Sequence, residues 1–166
     1  MTDDVLVAYG SKYGSTAEIA EAIAAALRAS GVTAQARAAG EVTDLADYRA
    51  VVLGSGVYAG RWASDARTFV RRHARALRAM PVWLFCSGPT GGSPDAEAAV
   101  AAAGPGVMDP SMRKIDVGAR GWATFAGRVS AGMGGPFARW VPTGDWRDWD
   151  QIAAWGRQIA HELADA

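Results

Sequence analysis

Short apolar runs alternate with amphipathic stretches along this chain. Val5 to Tyr9 (VLVAY) is β-branched and aromatic and stops at Gly10. After SKYGST, the segment AEIAEAIAAALRAS puts Ile19, Ile23, Ala26 and Leu27 on one helical stripe, with Glu18, Glu21 and Arg28 elsewhere. Ser15 with Glu18 three residues on has the spacing of a capping box, and Gly31 stops the helix. Val32 to Ala38 (VTAQARA) alternates weakly, which predicts a strand exposed on one face at a sheet edge. Ala50 to Leu53 (AVVL) reads as a strand buried on both faces that finishes in a glycine-rich loop, GSGVYAGRW. From Ala63 to Ala79 the residues Ala66, Phe69, Val70, His73 and Leu77 recur at helical spacing until Pro81 ends the helix.

Val82 to Cys86 (VWLFC) is a third buried run, followed by the polar loop SGPTGGSPD, where Ser93 and Pro94 open a further helix as N-cap and first residue. Ala96 to Val117 begins as a helix and is then broken by Gly104, Pro105, Gly106 and Pro110. Gly121 to Ala126 (GWATFA) is a fifth strand, and Gly127 to Gly144 has no clear period. The last helix spans Asp148 to Leu163, with Asp148 as N-cap, Gln151 at its third position, and Trp149, Ile152, Trp155, Ile159 and Leu163 as its core face. Strands alternating with helices predict an α/β fold with a parallel sheet covered on both faces, since a parallel connection needs a long crossover. In such sheets ligands sit beyond the carboxyl ends of the strands, where this chain has its loops richest in Gly, Ser and Thr.

Composition narrows the class of protein. At 166 residues, half of them apolar, the chain predicts a single packed domain over residues 1–166. Seventeen basic and seventeen acidic side chains cancel, so no bulk field draws it to nucleic acid. A lone Cys86 cannot form an intramolecular disulfide, and the acidic start MTDDVLVAYG lacks a basic leader with a long apolar run. No stretch approaches the roughly 20 apolar residues of a membrane span. These readings predict a cytoplasmic protein without an integral membrane segment.

The first loop carries the most specific chemistry. Ser11, Lys12, Tyr13, Gly14, Ser15 and Thr16 lie between a strand and a helix, where free amides and the positive end of the helix dipole converge on an anion. A capped turn needs one hydroxyl; this loop offers three, which points to phosphate. It is neither a Walker A loop nor a GxGxxG turn. Ser11 to Thr16 resembles the flavodoxin phosphate loop, T/S-x-T-G-x-T, with Tyr13 where that pattern has threonine. Gly54 to Trp62 (GSGVYAGRW) resembles the second, isoalloxazine-flanking loop, and Ser87 to Gly92 (SGPTGG) the third. With the closing GDWRDW and its helix, the resemblance spans nearly the whole chain. Among flavodoxin-like proteins it is similar to the group that includes menaquinone-dependent protoporphyrinogen dehydrogenase.

That resemblance implies a flavodoxin-like three-layer sandwich with five parallel strands in the order 2-1-3-4-5, and FMN as cofactor. The implied FMN contacts are the first loop, then Ser55, Gly56, Val57, Tyr58, Ala59 and Gly60, then Ser87, Gly88, Pro89, Thr90, Gly91 and Gly92. Backbone around Ser55 to Ala59 is placed at the N5 edge of the flavin. A flat, apolar ring also needs a wall, which Tyr58 or Trp62 supplies. Eight glycines, at positions 10, 14, 54, 56, 60, 88, 91 and 92, then shape one FMN site.

The remaining reactive residues have structural explanations. Cys86 ends an apolar strand, His73 sits on an apolar stripe, and His161 stands alone on the last helix, so neither a metal set nor a catalytic dyad is predicted. Arg67, Arg71, Arg75 and Arg78 line one side of the second helix, either as a solvated face or as a docking patch for an acidic partner or for substrate carboxylates. Three functions are compatible with these features. The first is FMN-dependent electron transfer or oxidoreduction with a redox protein or a small-molecule donor or acceptor. The second is quinone-linked protoporphyrinogen oxidation in haem biosynthesis, although Gly127 to Gly144 is too short for the basic, apolar insertion of that group. The third is a flavin-free interaction domain.

Overall fold

The computed structural model describes residues 4–58, 60–88, 116–130 and 143–166. In chain order its elements are β1 (Asp4–Gly10), α1 (Ser15–Ala29), β2 (Ala34–Ala38), a 3-10 turn at Ala39–Glu41, β3 (Tyr48–Tyr58), β4 (Arg61–Trp62), α2 (Ser64–Arg78), β5 (Val82–Gly88), β6 (Gly121–Ala126), β7 (Arg128–Val129), β8 (Gly144–Asp145) and α3 (Trp149–Ala164). Five strands pair in parallel in the order β2-β1-β3-β5-β6, which is the expected flavodoxin-like order with β2 at the edge. The sheet has a sixth member, because β4 folds back antiparallel onto the end of β3, through Val57↔Trp62 and Tyr58↔Arg61. The helix expected at Ser93 and Pro94, and the stretch from Ala96 as far as residue 115, lie outside the described residues.

Alternation along β1 shows why the sheet is buried on both faces. Val5 and Val7 point into one core with Ile19, Ile23 and Leu27 of α1 and Ile152 and Ile159 of α3. Leu6 and Ala8 point into the other, with Phe69, Val70 and Leu77 of α2. All four β1 residues have no exposed surface. At about 1.5–3 kcal/mol for each large apolar side chain removed from water, the two layers favour a continuous apolar strand over an alternating one. Helices α1 and α3 approach closely because Gly156 has no side chain: a Cβ there would stand 2.7 Å from the Ala26 Cβ. Among the described residues no helix is long and apolar enough to cross a membrane.

Three expectations are corrected. The segment GSGVY is strand, not loop, for β3 runs on to Tyr58, with Gly54, Ser55 and Gly56 in register with Phe85, Cys86 and Ser87. Glycine disfavours strands locally, but here a tertiary contact decides: a Cβ on Gly54 would lie 2.0 Å from the Phe85 Cζ, so the ring of Phe85 occupies the space that a side chain would take. The capping box at Ser15 does not form. Gly14, in the left-handed region at φ 86°, is the N-cap, and no side chain caps the helix. Trp149 leaves the core face of α3 and is 43% exposed, with the Arg147 guanidinium 4.6 Å from its ring centroid. The cap at the other predicted helix start does form: the Gln151 amide donates to Asp148 Oδ1 at 3.1 Å.

Candidate functional site

The order β2-β1-β3 reverses direction between β1 and β3, and at such a switch point the loops leaving two adjacent strands diverge to opposite faces of the sheet. Register brings the carboxyl ends side by side: Gly10 pairs with Ser55, Gly56 with Ser87, and Gly88 with Ala126. A cleft of about 400 Å³ opens at this point, lined by Ser11 and Lys12 after β1 and by Arg61, Ser64, Asp65 and Arg67 around the start of α2. That volume falls in the about 300–1,000 Å³ range of small-molecule sites. Three cationic side chains on its wall suit an anionic group.

The first loop is a tight turn into α1. The Ser11 hydroxyl accepts from the Gly14 amide at 2.9 Å, which tightens the turn. The positive φ of Gly14 then directs the chain into α1, whose first backbone bond runs from the Glu18 amide to the Gly14 carbonyl. The amides of Ser15, Thr16 and Ala17 precede that bond, at the positive end of the helix dipole. Lys12 and Tyr13 are exposed at the tip, with the Lys12 ammonium 5.6 Å from the Tyr13 ring centroid. Ser15 and Thr16 are buried, and their hydroxyls tie the loop to distant strands. Thr16 Oγ1 shares a 2.9 Å hydrogen bond with Ser87 Oγ, and Ser15 Oγ accepts from the Arg128 amide at 3.3 Å.

The second loop is narrower than its sequence suggests. Ser55 is fully buried, and its hydroxyl donates to the Gly56 carbonyl and accepts from the Ala63 amide at 2.8 Å, fastening the start of α2 to β3. Val57 packs against the α2 core, and Gly60 turns the hairpin at φ 74°. Trp62 is only 1% exposed and packs in that core, while it also lines the cleft. The side chain of Tyr58, together with Ala59, lies outside the described residues, as do Pro89, Thr90, Gly91 and Gly92. At the third loop, Ser87 is buried and the Gly88 carbonyl accepts from the Gly127 amide at 2.8 Å.

Two of the eight glycines have packing reasons. Gly54 faces Phe85, and a Cβ on Gly10 would stand 2.8 Å from the Ala66 Cβ on α2. Both let elements of the core approach each other. Cys86 is buried, and burial pushes its thiol up, which makes it a poor nucleophile at neutral pH. His73 packs its ring on Phe69 at 4.8 Å, and His161 is exposed on α3.

The sequence reading missed an ion-pair knot beside the first loop. Arg147 donates to both carboxylate oxygens of Asp145, through Nε at 2.8 Å and Nη2 at 2.6 Å, and its Nη1 bonds Glu18. Arg128 also reaches Glu18, at 3.4 Å. The knot pins the β7–β8 ribbon to the first turn of α1, explaining why Glu18 serves no cap. The only local signal is the Asp145-x-Arg147 pair within GDWRDW. Arg147 holds the Asp145 carboxyl down to about 2, and Glu18 is lowered by the same guanidinium. A carboxylate depressed on folding keeps its contribution above its ordinary value of about 4 and loses it as pH falls through its folded value. We therefore expect Trp146 and Trp149 fluorescence to change between about pH 4 and about pH 2 as the knot opens. Asp145→Asn should show the acid-form spectrum at neutral pH; a spectrum like that of the parent at neutral pH would count against this assignment.

A family model described as flavodoxin domain matches residues 6–139. The chain belongs to the flavodoxin domain family. Solved structures agree on the fold of this flavodoxin domain. A flavodoxin from the domain Archaea is 17% identical, with a TM-score of 0.63 over 97% of this chain and 99% of that one. The two-electron reduced flavodoxin of Megasphaera elsdenii is 18% identical, with a TM-score of 0.63 over 95% of this chain and 98% of that one. Rubredoxin oxygen:oxidoreductase from Desulfovibrio gigas is 17% identical, with a TM-score of 0.66 over 99% of this chain but only 37% of that longer protein. No curated protein sequence matches the chain.

Proposed function

We propose that this flavodoxin domain binds FMN and works in electron transfer or flavin-dependent oxidoreduction. The observation that carries the reading is the uncapped start of α1, entered through a positive-φ glycine from a loop whose Ser11 and Lys12 line a cleft at the sheet's switch point. These residues fit the cofactor. The amides of Ser15 and Thr16 hold its phosphate, Ser11 sets the turn, and Lys12, Arg61 and Arg67 offset its charge. Gly56 and Ser55 are engaged in the sheet, so the backbone that meets the ring falls at the hairpin turn around Gly60. The buried Thr16–Ser87 hydrogen bond ties the start of α1 to the end of β5. When bound, FMN supplies the redox chemistry by taking up or releasing one or two electrons. No side-chain acid or base is required.

Purified protein should be yellow, or should take up FMN stoichiometrically at micromolar concentration with quenching of flavin fluorescence. A colourless protein that leaves added FMN fully fluorescent sinks the proposal. Protoporphyrinogen oxidation rests on the likeness of the loops and of the TGDWRDW ending, in which Asp145 and Arg147 are occupied with each other. An assay of the FMN-loaded protein with the porphyrinogen and a menaquinone analogue, showing no turnover, removes that narrower reading.

A further inference from the structure

The charge of this chain is neutral in sum but not in distribution. Residues 61–78 hold six arginines against Asp65 alone, a net +5, so the rest of the neutral chain carries −5. At about 100° per residue, Arg67, Arg71, Arg75 and Arg78 fall within an arc of about 80° on α2, while Asp65 lies about 160° from Arg67. Arg71, Arg75 and Arg78 are exposed and Arg67 is half-buried. None of the four pairs with a carboxylate among the described residues. The two end members are held in place by backbone carbonyls. Arg67 Nε donates to Trp62 O at 3.1 Å and Arg78 Nε to Asp116 O at 2.7 Å. Like charges four residues apart destabilise a helix, so the fold itself gains nothing from this arrangement.

The stripe also has a direction. Its first residue, Arg67, lines the cleft at the switch point together with Arg61 and Lys12. From there it extends about 16 Å along α2, at about 1.5 Å per residue, which matches a patch on a folded partner. The net −5 of the rest of the chain repels an extended polyanion more than a partner that covers the stripe alone.

We propose that the arginine face of α2 docks an acidic electron-transfer protein with its redox centre at the cleft. The proposal rests on the FMN reading above. Attraction between the stripe and an acidic surface raises the encounter rate and orients the molecular charge dipole so that the cleft leads.

The test measures flavin reduction in the FMN-loaded protein by a reduced acidic ferredoxin, and flavin oxidation by the basic protein cytochrome c, across a salt series. The ferredoxin rate should fall about tenfold between about 0.01 M and about 0.15 M salt, while the cytochrome c rate stays flat or rises. Arg71→Glu with Arg75→Glu should flatten or invert the ferredoxin dependence. Arg72→Glu with Arg157→Glu carries the same charge change off the stripe and should leave most of it. Visible flavin absorbance, equal in all variants, separates this outcome from loss of cofactor. A parent protein without flavin overturns the FMN reading, and the docking proposal falls with it. Intact flavin with a salt-independent ferredoxin rate, or equal effects of the two double variants, overturns docking alone. Tighter binding of a thymidine oligonucleotide than of ferredoxin overturns it in favour of a nucleic acid.

Discussion

Gly14→Val should yield a folded protein that no longer binds FMN. Gly14 sits at φ 86°, and an ideal Cβ built there meets nothing within 4 Å, so the difficulty is conformational and not steric. An L-residue in the left-handed region costs about 1–2 kcal/mol, and a β-branched one stands at the upper end. That is small against a typical stability of about 5–15 kcal/mol, so the chain still folds. The loop relieves the strain by rotating Gly14 out of this region, and the amides of Ser15 and Thr16 then no longer converge. Hydrogen bonds to a charged group contribute about 1.5–3 kcal/mol each, so losing two weakens FMN binding by at least about 100-fold. Gly14→Asn, which tolerates the left-handed region, should keep more of the affinity. Flavin fluorescence titration beside a thermal melt reads both quantities. An unfolded valine variant, or one that binds FMN like the parent, contradicts this account.

Gly54→Ala should do the reverse, damaging the fold first and the site only as a consequence. The new methyl would stand 2.0 Å from Phe85 Cζ and 2.2 Å from Cε1. Phe85 has nowhere to retreat: it is 1% exposed and enclosed by Phe125 and Trp155, with ring centroids at 6.0 Å and 6.1 Å. Overpacking of a filled core costs about 1–3 kcal/mol and sometimes more, and a contact this short belongs at the upper end, near about 3 kcal/mol. A compensating cavity restores part of it, so Gly54→Ala with Phe85→Leu should be more stable than Gly54→Ala alone. Urea unfolding of the two variants decides the matter; equal stability of Gly54→Ala and the parent would show that the ring moves freely.

These two glycines act at different ranges. Gly54 directly follows an apolar run and precedes a polar, glycine-containing segment, and nothing within ten residues of it shows that it admits an aromatic ring. The strand–helix alternation, the edge position of β2 and the Asp148 cap were legible because each is carried by residues a few positions apart. The capping box failed for a reason outside its own four residues. Glu18 has the right spacing, but Arg147 and Arg128, brought in by the β7–β8 ribbon, engage its carboxylate more strongly than a backbone amide does. Trp62 and Trp149 exchanged roles for a similar reason. The hairpin folds Trp62 under α2, while an arginine beside Trp149 offers its ring a cation at the surface.

The sequence by itself determined the class of fold and the number of parallel strands, since periodicity and turn chemistry act over one or two turns of backbone. Only the tertiary structure decided that β3 continues through GSGVY, that Gly54 serves Phe85, and that Thr16 is held by Ser87 across 71 residues of chain. Those facts depend on which surfaces meet after collapse. The energy of such a contact belongs to both partners at once and is written in neither local pattern.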